Sequence, residues 1–167
     1  MRSRSKTFFH PGYRRWSSAE NEKKIFTGLL LLLLCLWAAA CDRQPRYPEP
    51  ARSGTDVAID IAGIGENVPR FFTYHYSGCN INFFVIKIRG RVLSFLDACM
   101  KCHSKKLGFR FADESVVCKA CDERYPVSDI EAGLGSCYPV RLEGRSEGDR
   151  YLVPIAELEK MGERFFR

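Results

Sequence analysis

The chain has 167 residues, room for one ordinary domain and some extra segments, with 46% hydrophobic and 28% charged residues. Its formal net charge of +6 is concentrated at the start. Residues 1–24 hold seven Lys/Arg against two Glu, a surplus of five, so the rest of the chain carries about +1. A nucleic-acid binder carries its basic surplus on the folded domain, and this distribution excludes that class.

After the basic stretch ending in Lys24 comes the uncharged run Ile25–Ala40, 16 residues long. As a helix it would reach about 24 Å, short of the roughly 30 Å that a spanning helix must cross. A basic start, a short apolar middle and the small residues Ala38–Ala40 describe an export signal over residues 1–40. The alanines ahead of Cys41 resemble a bacterial lipobox, which would make Cys41 the lipidation site. The alternative is an uncleaved, tilted anchor. Either reading attaches the chain to a bacterial cell membrane and puts residues 41–167 on its extracytoplasmic, periplasmic face. The pair Arg14–Arg15 fits a twin-arginine export signal or the positive-inside bias of such leaders.

Residues 41–55, with "DRQPRYPEPARSGT" from Asp42, are rich in proline and charge and have no apolar period. They read as a solvated tether. The domain is expected over residues 56–165. Its segments are short, β-branched or aromatic: "DVAIDI" from Asp56, "RFFTYHY" from Arg70, "INFFVIKI" from Ile81 and "RVLSFL" from Arg91. The loop signal "SGCN" divides the second from the third, and the tight turn Arg89–Gly90 joins the third to the fourth as a hairpin. "LGFRF", "SVVC", "YPVRLE" and "RYLVP" continue the pattern. Only the tail "IAELEKMGERFF" has helical spacing, with Ile155, Leu158 and Met161 on one face. The expected fold class is mostly β, a small antiparallel sandwich with a short C-terminal helix.

Of the eight cysteines, Cys35 and Cys41 belong to the leader, which leaves Cys79, Cys99, Cys102, Cys118, Cys121 and Cys137. The pairs Cys99-x-x-Cys102 and Cys118-x-x-Cys121 stand 15 residues apart, the spacing of four-thiolate metal sites. Two intervening residues let the chain turn around one ion while turn N–H groups point at the sulfurs, and two such knuckles complete a tetrahedral set. Disulfides within the pairs would close tiny, strained loops. The metal is either an iron–sulfur cluster or Zn2+, since four thiolates leave a net charge of −2 on each. Lys101, Lys105, Lys106, Arg110, Lys119 and Arg124 would help to hold such an anionic centre. His103 raises a third reading, because "CMKCH" fits the attachment motif of c-type haem. That reading leaves Cys118, Cys121 and the β-rich pattern unused. Cys79 and Cys137 are expected either to form a disulfide or, for Cys137, to lie beside the centre as an exchanging ligand. No Ser/His/Asp set, carboxylate pair or phosphate loop is present, so no catalyst is expected. Asp97, Asp113 and Glu114 read as turn residues.

The stretch "FLDACMKCHSKKLGFRFADESVVCKACDERYPVSDIEAGLGSCYPVRLE", Phe95 to Glu143, resembles the FtrD-like membrane iron–sulfur family. It shares an F-x-D-A-C-x-x-C knuckle, a V-V-C-x-x-C-x-x-R-[FY]-P segment and a glycine-rich turn into C-x-P. The resemblance implies an iron–sulfur centre on Cys99, Cys102, Cys118 and Cys121, with Cys137 a motif residue of undefined role. It also implies electron transport linked to iron uptake, with a redox partner protein or an iron permease as partner. The layout is fainter in its likeness to Rieske domains, with cysteines in place of histidines. On that analogy an all-thiolate centre would have the lower potential.

Overall fold

The computed structural model describes residues 44–132 and 137–166; the expected leader, Cys41 and the glycine-rich residues 133–136 lie outside them. Among the described residues the chain forms eleven strands. These are β1 (Ala51–Ser53), β2 (Asp56–Asp60), β3 (Arg70–Tyr76), β4 (Cys79–Ile88), β5 (Arg91–Cys99), β6 (Phe109–Ala112), β7 (Ser115–Cys118), β8 (Arg124–Pro126), β9 (Pro139–Leu142), β10 (Arg145–Glu147) and β11 (Arg150–Pro154). Among the described residues a single α-helix, α1 (Ile155–Phe165), follows β11, and 3₁₀ segments lie at His103–Lys105 and Val127–Ala132. The mostly β class and the terminal helix are as expected. No helix among the described residues is long and apolar enough to cross a membrane.

The strands form three antiparallel sheets, ordered β1-β2-β11-β10, β3-β4-β5-β9 and β6-β7-β8. The middle sheet carries the largest apolar side chains because both its faces are covered. On β4, Ile81, Phe83 and Val85 pack with Val57 and Ile59 of β2, Val153 of β11 and Leu158 of α1. The alternate residues Phe84, Ile86 and Ile88 pack with Phe109 and Val116 of the three-stranded sheet. This explains why "INFFVIKI" is apolar at consecutive positions rather than alternating: the period of two is present, but each half of it meets a core. Each such side chain, fully buried, contributes roughly 1.5–3 kcal/mol.

Two of the hairpin turns are two residues long with left-handed backbone at both positions. Arg89–Gly90 (φ 51° and 74°) joins β4 to β5, and Asp113–Glu114 (φ 50° and 52°) joins β6 to β7. Both pairs are turn residues, as their sequence suggests, and left-handed pairs match the twist of the flanking strands. Helix α1 presses Leu158, Gly162 and Phe165 inward. A Cβ on Gly162 would collide with the Ile81 side chain, so glycine lets the helix approach β4 closely.

The described part of the expected tether, from Gln44 on, is docked rather than solvated. The Gln44 side chain donates to the Asn80 carbonyl (2.5 Å), Asn82 Nδ2 donates to the Pro45 carbonyl (2.6 Å), and the Thr73 N–H donates to the Pro48 carbonyl (3.2 Å). Pro50 is buried, and Ala51–Ser53 pair with β2 as an edge strand. Proline removes donors, yet the segment's carbonyls remain as acceptors, and polar groups of β3 and β4 meet them.

Arg145 on the edge strand β10 makes a two-pronged ion pair with Asp56 of β2 (3.0 and 2.9 Å). Its guanidinium holds the Asp56 carboxyl below the usual carboxylate range. A carboxyl depressed in the folded state stabilises above its unfolded pKa, near 4, and that stability is lost as pH falls through the folded value. Denaturant unfolding of Arg145→Gln should therefore show a stability deficit at pH 7 that shrinks towards pH 2.5. An equal deficit at both values would show that the carboxylate is not what the arginine holds.

Candidate metal centre

The first knuckle begins where β5 ends, at the buried Cys99. The Cys102 N–H points back at Cys99 Sγ (3.4 Å), and the chain then tightens into the 3₁₀ turn His103–Lys105. The second begins where β7 ends, at the buried Cys118. There the Cys118 N–H donates to the Glu123 carbonyl (2.9 Å), the Asp122 N–H donates to the Cys118 carbonyl (2.8 Å), and Asp122 is left-handed (φ 57°). The Glu123 N–H donates to the Cys121 sulfur. Both loops thus aim backbone donors at sulfur, as a turn wrapped around a thiolate centre does.

The sulfurs of Cys99, Cys102 and Cys118 lie within 4.8 Å of one another, and so do those of Cys102, Cys121 and Cys137. The two groups share Cys102. All four cysteines of the paired motifs are therefore brought together, with Cys137 as a fifth. Cys79 lies elsewhere, at the start of β4 opposite Tyr76, and no disulfide joins it to Cys137 among the described residues. His103 belongs to neither sulfur group. Its Nδ1 is 3.1 Å from the Met100 carbonyl and its ring packs edge-on against Phe165, with centroids 5.1 Å apart.

The donor set fits a thiophilic metal. Two thiolates about 2.3 Å from one tetrahedral ion are about 3.8 Å apart, a spacing that lies inside the 4.8 Å limit of each group, and every donor in both groups is sulfur. Burial pushes the Cys99 thiol up and lifts Cys102 to about 11. The Glu123 N–H, by contrast, draws exposed Cys121 down. A bound cationic centre would supply the charge that turns the raised thiols into thiolates.

Asp97, expected in a turn, is instead buried in β5 with 3% of its surface exposed. One carboxylate oxygen accepts the Phe109 N–H (2.6 Å) and the other the Tyr47 hydroxyl (3.2 Å). Burial lifts this carboxyl to about 7. Phe109 pairs directly with Cys118, so Asp97 ties the strand that ends in Cys99 to the hairpin that carries Cys118. Gly108, left-handed at φ 68°, lies against the same carboxylate, and a Cβ there would collide with it. The signal for this role was periodicity: Leu93, Phe95, Asp97 and Cys99 occupy one face of β5, so an acidic residue sits among inward-facing positions. Nothing in the proline-rich stretch foretold the contact of Tyr47.

Asp97→Ala leaves the buried Phe109 N–H without its acceptor and should cost about 1–3 kcal/mol. Asp97→Asn, which keeps a carbonyl oxygen there, should cost less; equal losses in thermal unfolding would contradict the clamp. In the reduced, metal-free chain Cys121 should alkylate faster at neutral pH than Cys99 or Cys102, as followed by peptide mass spectrometry. The reverse order would contradict the electrostatics of the two loops.

Among the curated proteins no match is found. The family model "Membrane iron-sulfur containing protein FtrD-like" matches residues 64–165, from the loop after β2 through the end of α1. That span covers both knuckles, Cys137 and the whole middle sheet, and the chain belongs to the FtrD-like membrane iron–sulfur family.

Proposed function

We propose that this protein is an electron carrier anchored to the extracytoplasmic face of a bacterial membrane, with an iron–sulfur centre on Cys99, Cys102, Cys118 and Cys121. The observation that carries the reading is the convergence of these sulfurs, from two knuckles on different sheets, in a chain of an iron–sulfur family. When bound, such a centre supplies one-electron chemistry. The chain's own part is to hold the sulfurs, to keep Cys99 and Cys118 away from water, and to leave Cys121 at the surface, where a partner can approach. Lys101, Lys105, Lys106 and Lys119 are exposed on the same loops. They suit an acidic redox partner, or the acidic face of an iron permease, whose docking would weaken with salt.

The protein acts as a carrier rather than a catalyst in this reading, serving iron uptake or respiration. Attachment comes from lipidated Cys41 or from an uncleaved leader. A structural Zn2+ site that supports a protein contact is the rival, and the all-sulfur donor set suits it equally. The metal bound in the cell separates the two.

Protein purified without oxygen should contain iron and acid-labile sulfide in equal amounts, absorb in the visible and bleach on reduction. Serine at any of the four knuckle cysteines should lower the iron content severalfold. Colourless protein with one zinc per chain would end the electron-carrier reading, and a red chromophore that survives denaturation would select haem. Cys41→Ala should abolish lipid labelling; membrane attachment without any label in the parent chain would favour the uncleaved anchor.

A further inference from the structure

Four thiolates complete the coordination of one tetrahedral ion, and four also serve the terminal positions of an iron–sulfur cluster. The chain gathers five. The fifth, Cys137, belongs to neither knuckle and reaches the site from a third direction. It lies just ahead of β9, whose Pro139 pairs with Cys99, and the Met100 N–H donates to the Tyr138 carbonyl (3.1 Å). The residues next to Cys137 are thus fastened to the first knuckle by the ladder that extends β5. Its own sulfur is buried and within 4.8 Å of both Cys102 and Cys121. Backbone pairing at the edge of the middle sheet opposite β3 fixes that position.

The sulfurs also fall into two groups rather than one. Cys99 and Cys118 are buried at the inner side, Cys121 is exposed, and Cys102 is the member common to both groups. Three sulfurs within mutual reach are a nearly complete shell for a soft ion. Two such shells with one sulfur in common describe a place for two ions. Charge favours the same count: five thiolates around one divalent ion leave −3, and around two leave −1, which is the less costly to hold in a partly buried site.

We infer that Cys137 is a fifth thiolate of the centre, completing with Cys102 and Cys121 a second metal position beside Cys99, Cys102 and Cys118, so that the chain takes two soft metal ions rather than one. The inference rests on the metal-centre reading above and narrows it to a binuclear occupant. A mononuclear zinc ribbon leaves both Cys137 and the second shell without a role.

The test uses the full chain in detergent, reduced and metal-free, with Cys35→Ser and Cys41→Ser so that only domain thiols report. Cadmium(II) is added and followed by native mass spectrometry and by sulfur-to-metal charge-transfer absorption. Two ions per chain are expected. Cys137→Ser should lose the second or bind it roughly tenfold or more weakly, whereas Cys79→Ser should still bind two. Alkylation of the otherwise unsubstituted domain guards against a folding defect in the variant: loading should slow the reaction of Cys137 at least tenfold and leave that of Cys79 unchanged. One ion per chain, with Cys137 reacting at the same rate before and after loading, overturns the inference and leaves a metal centre on the four knuckle cysteines standing. No bound ion at all overturns both.

Discussion

A buried carboxylate holds the two halves of this site together. Asp97 lies two residues before Cys99 and accepts the backbone N–H of Phe109, the residue paired with Cys118. One hydrogen bond thereby fixes the end of β5 relative to the hairpin β6–β7, and with it the distance between the first sulfurs of the two knuckles. In a dry setting a backbone N–H has no water to replace a lost acceptor, so this bond counts for more than the same bond at the surface. A vacancy there is correspondingly costly. Tyr47 caps the second oxygen from the docked segment that begins at Gln44, so the start of the described chain is joined to the framework of the site.

The rest of the architecture keeps that arrangement stiff. The middle sheet is covered on one side by β2, β11 and α1 and on the other by β6, β7 and β8, and its strand β5 ends at a thiol. Close packing on both faces leaves β5 little freedom to slide, because a shift of one residue would turn every side chain to the wrong core. The knuckles themselves are short loops at strand ends, with backbone donors already directed at sulfur. What they lack is charge: burial keeps Cys99 and Cys102 protonated without a centre. Metal binding and the release of protons are therefore coupled in this domain.

Much of the chemistry was legible in the order of residues, because the Cys-x-x-Cys spacing encodes a local turn that needs no tertiary information. The same holds for the two-residue hairpin at Arg89–Gly90 and for the helix face of Ile155, Leu158 and Met161. Three features were not legible, and each depends on contacts between residues distant in sequence. Asp97 looks like a turn residue until the strand Arg91–Leu96 is carried through to Cys99 and its inward face is counted. The segment Gln44–Ser53 has no apolar period and so resembles a solvated tether, but its carbonyls meet donors from β3 and β4 that composition does not reveal. Cys137 and Cys79, the two domain cysteines outside the knuckles, left a disulfide and a place for Cys137 beside the centre equally open to composition; the β5–β9 ladder puts Cys137 among the knuckle sulfurs.

Sulfur alone should surround adjacent metal ions between the two knuckles, and iron-edge X-ray absorption of the anaerobically isolated chain reads that shell directly. The expected spectrum has only sulfur neighbours in the first shell and a second iron just beyond it. A first shell containing nitrogen or oxygen, or iron without an iron neighbour, would contradict it.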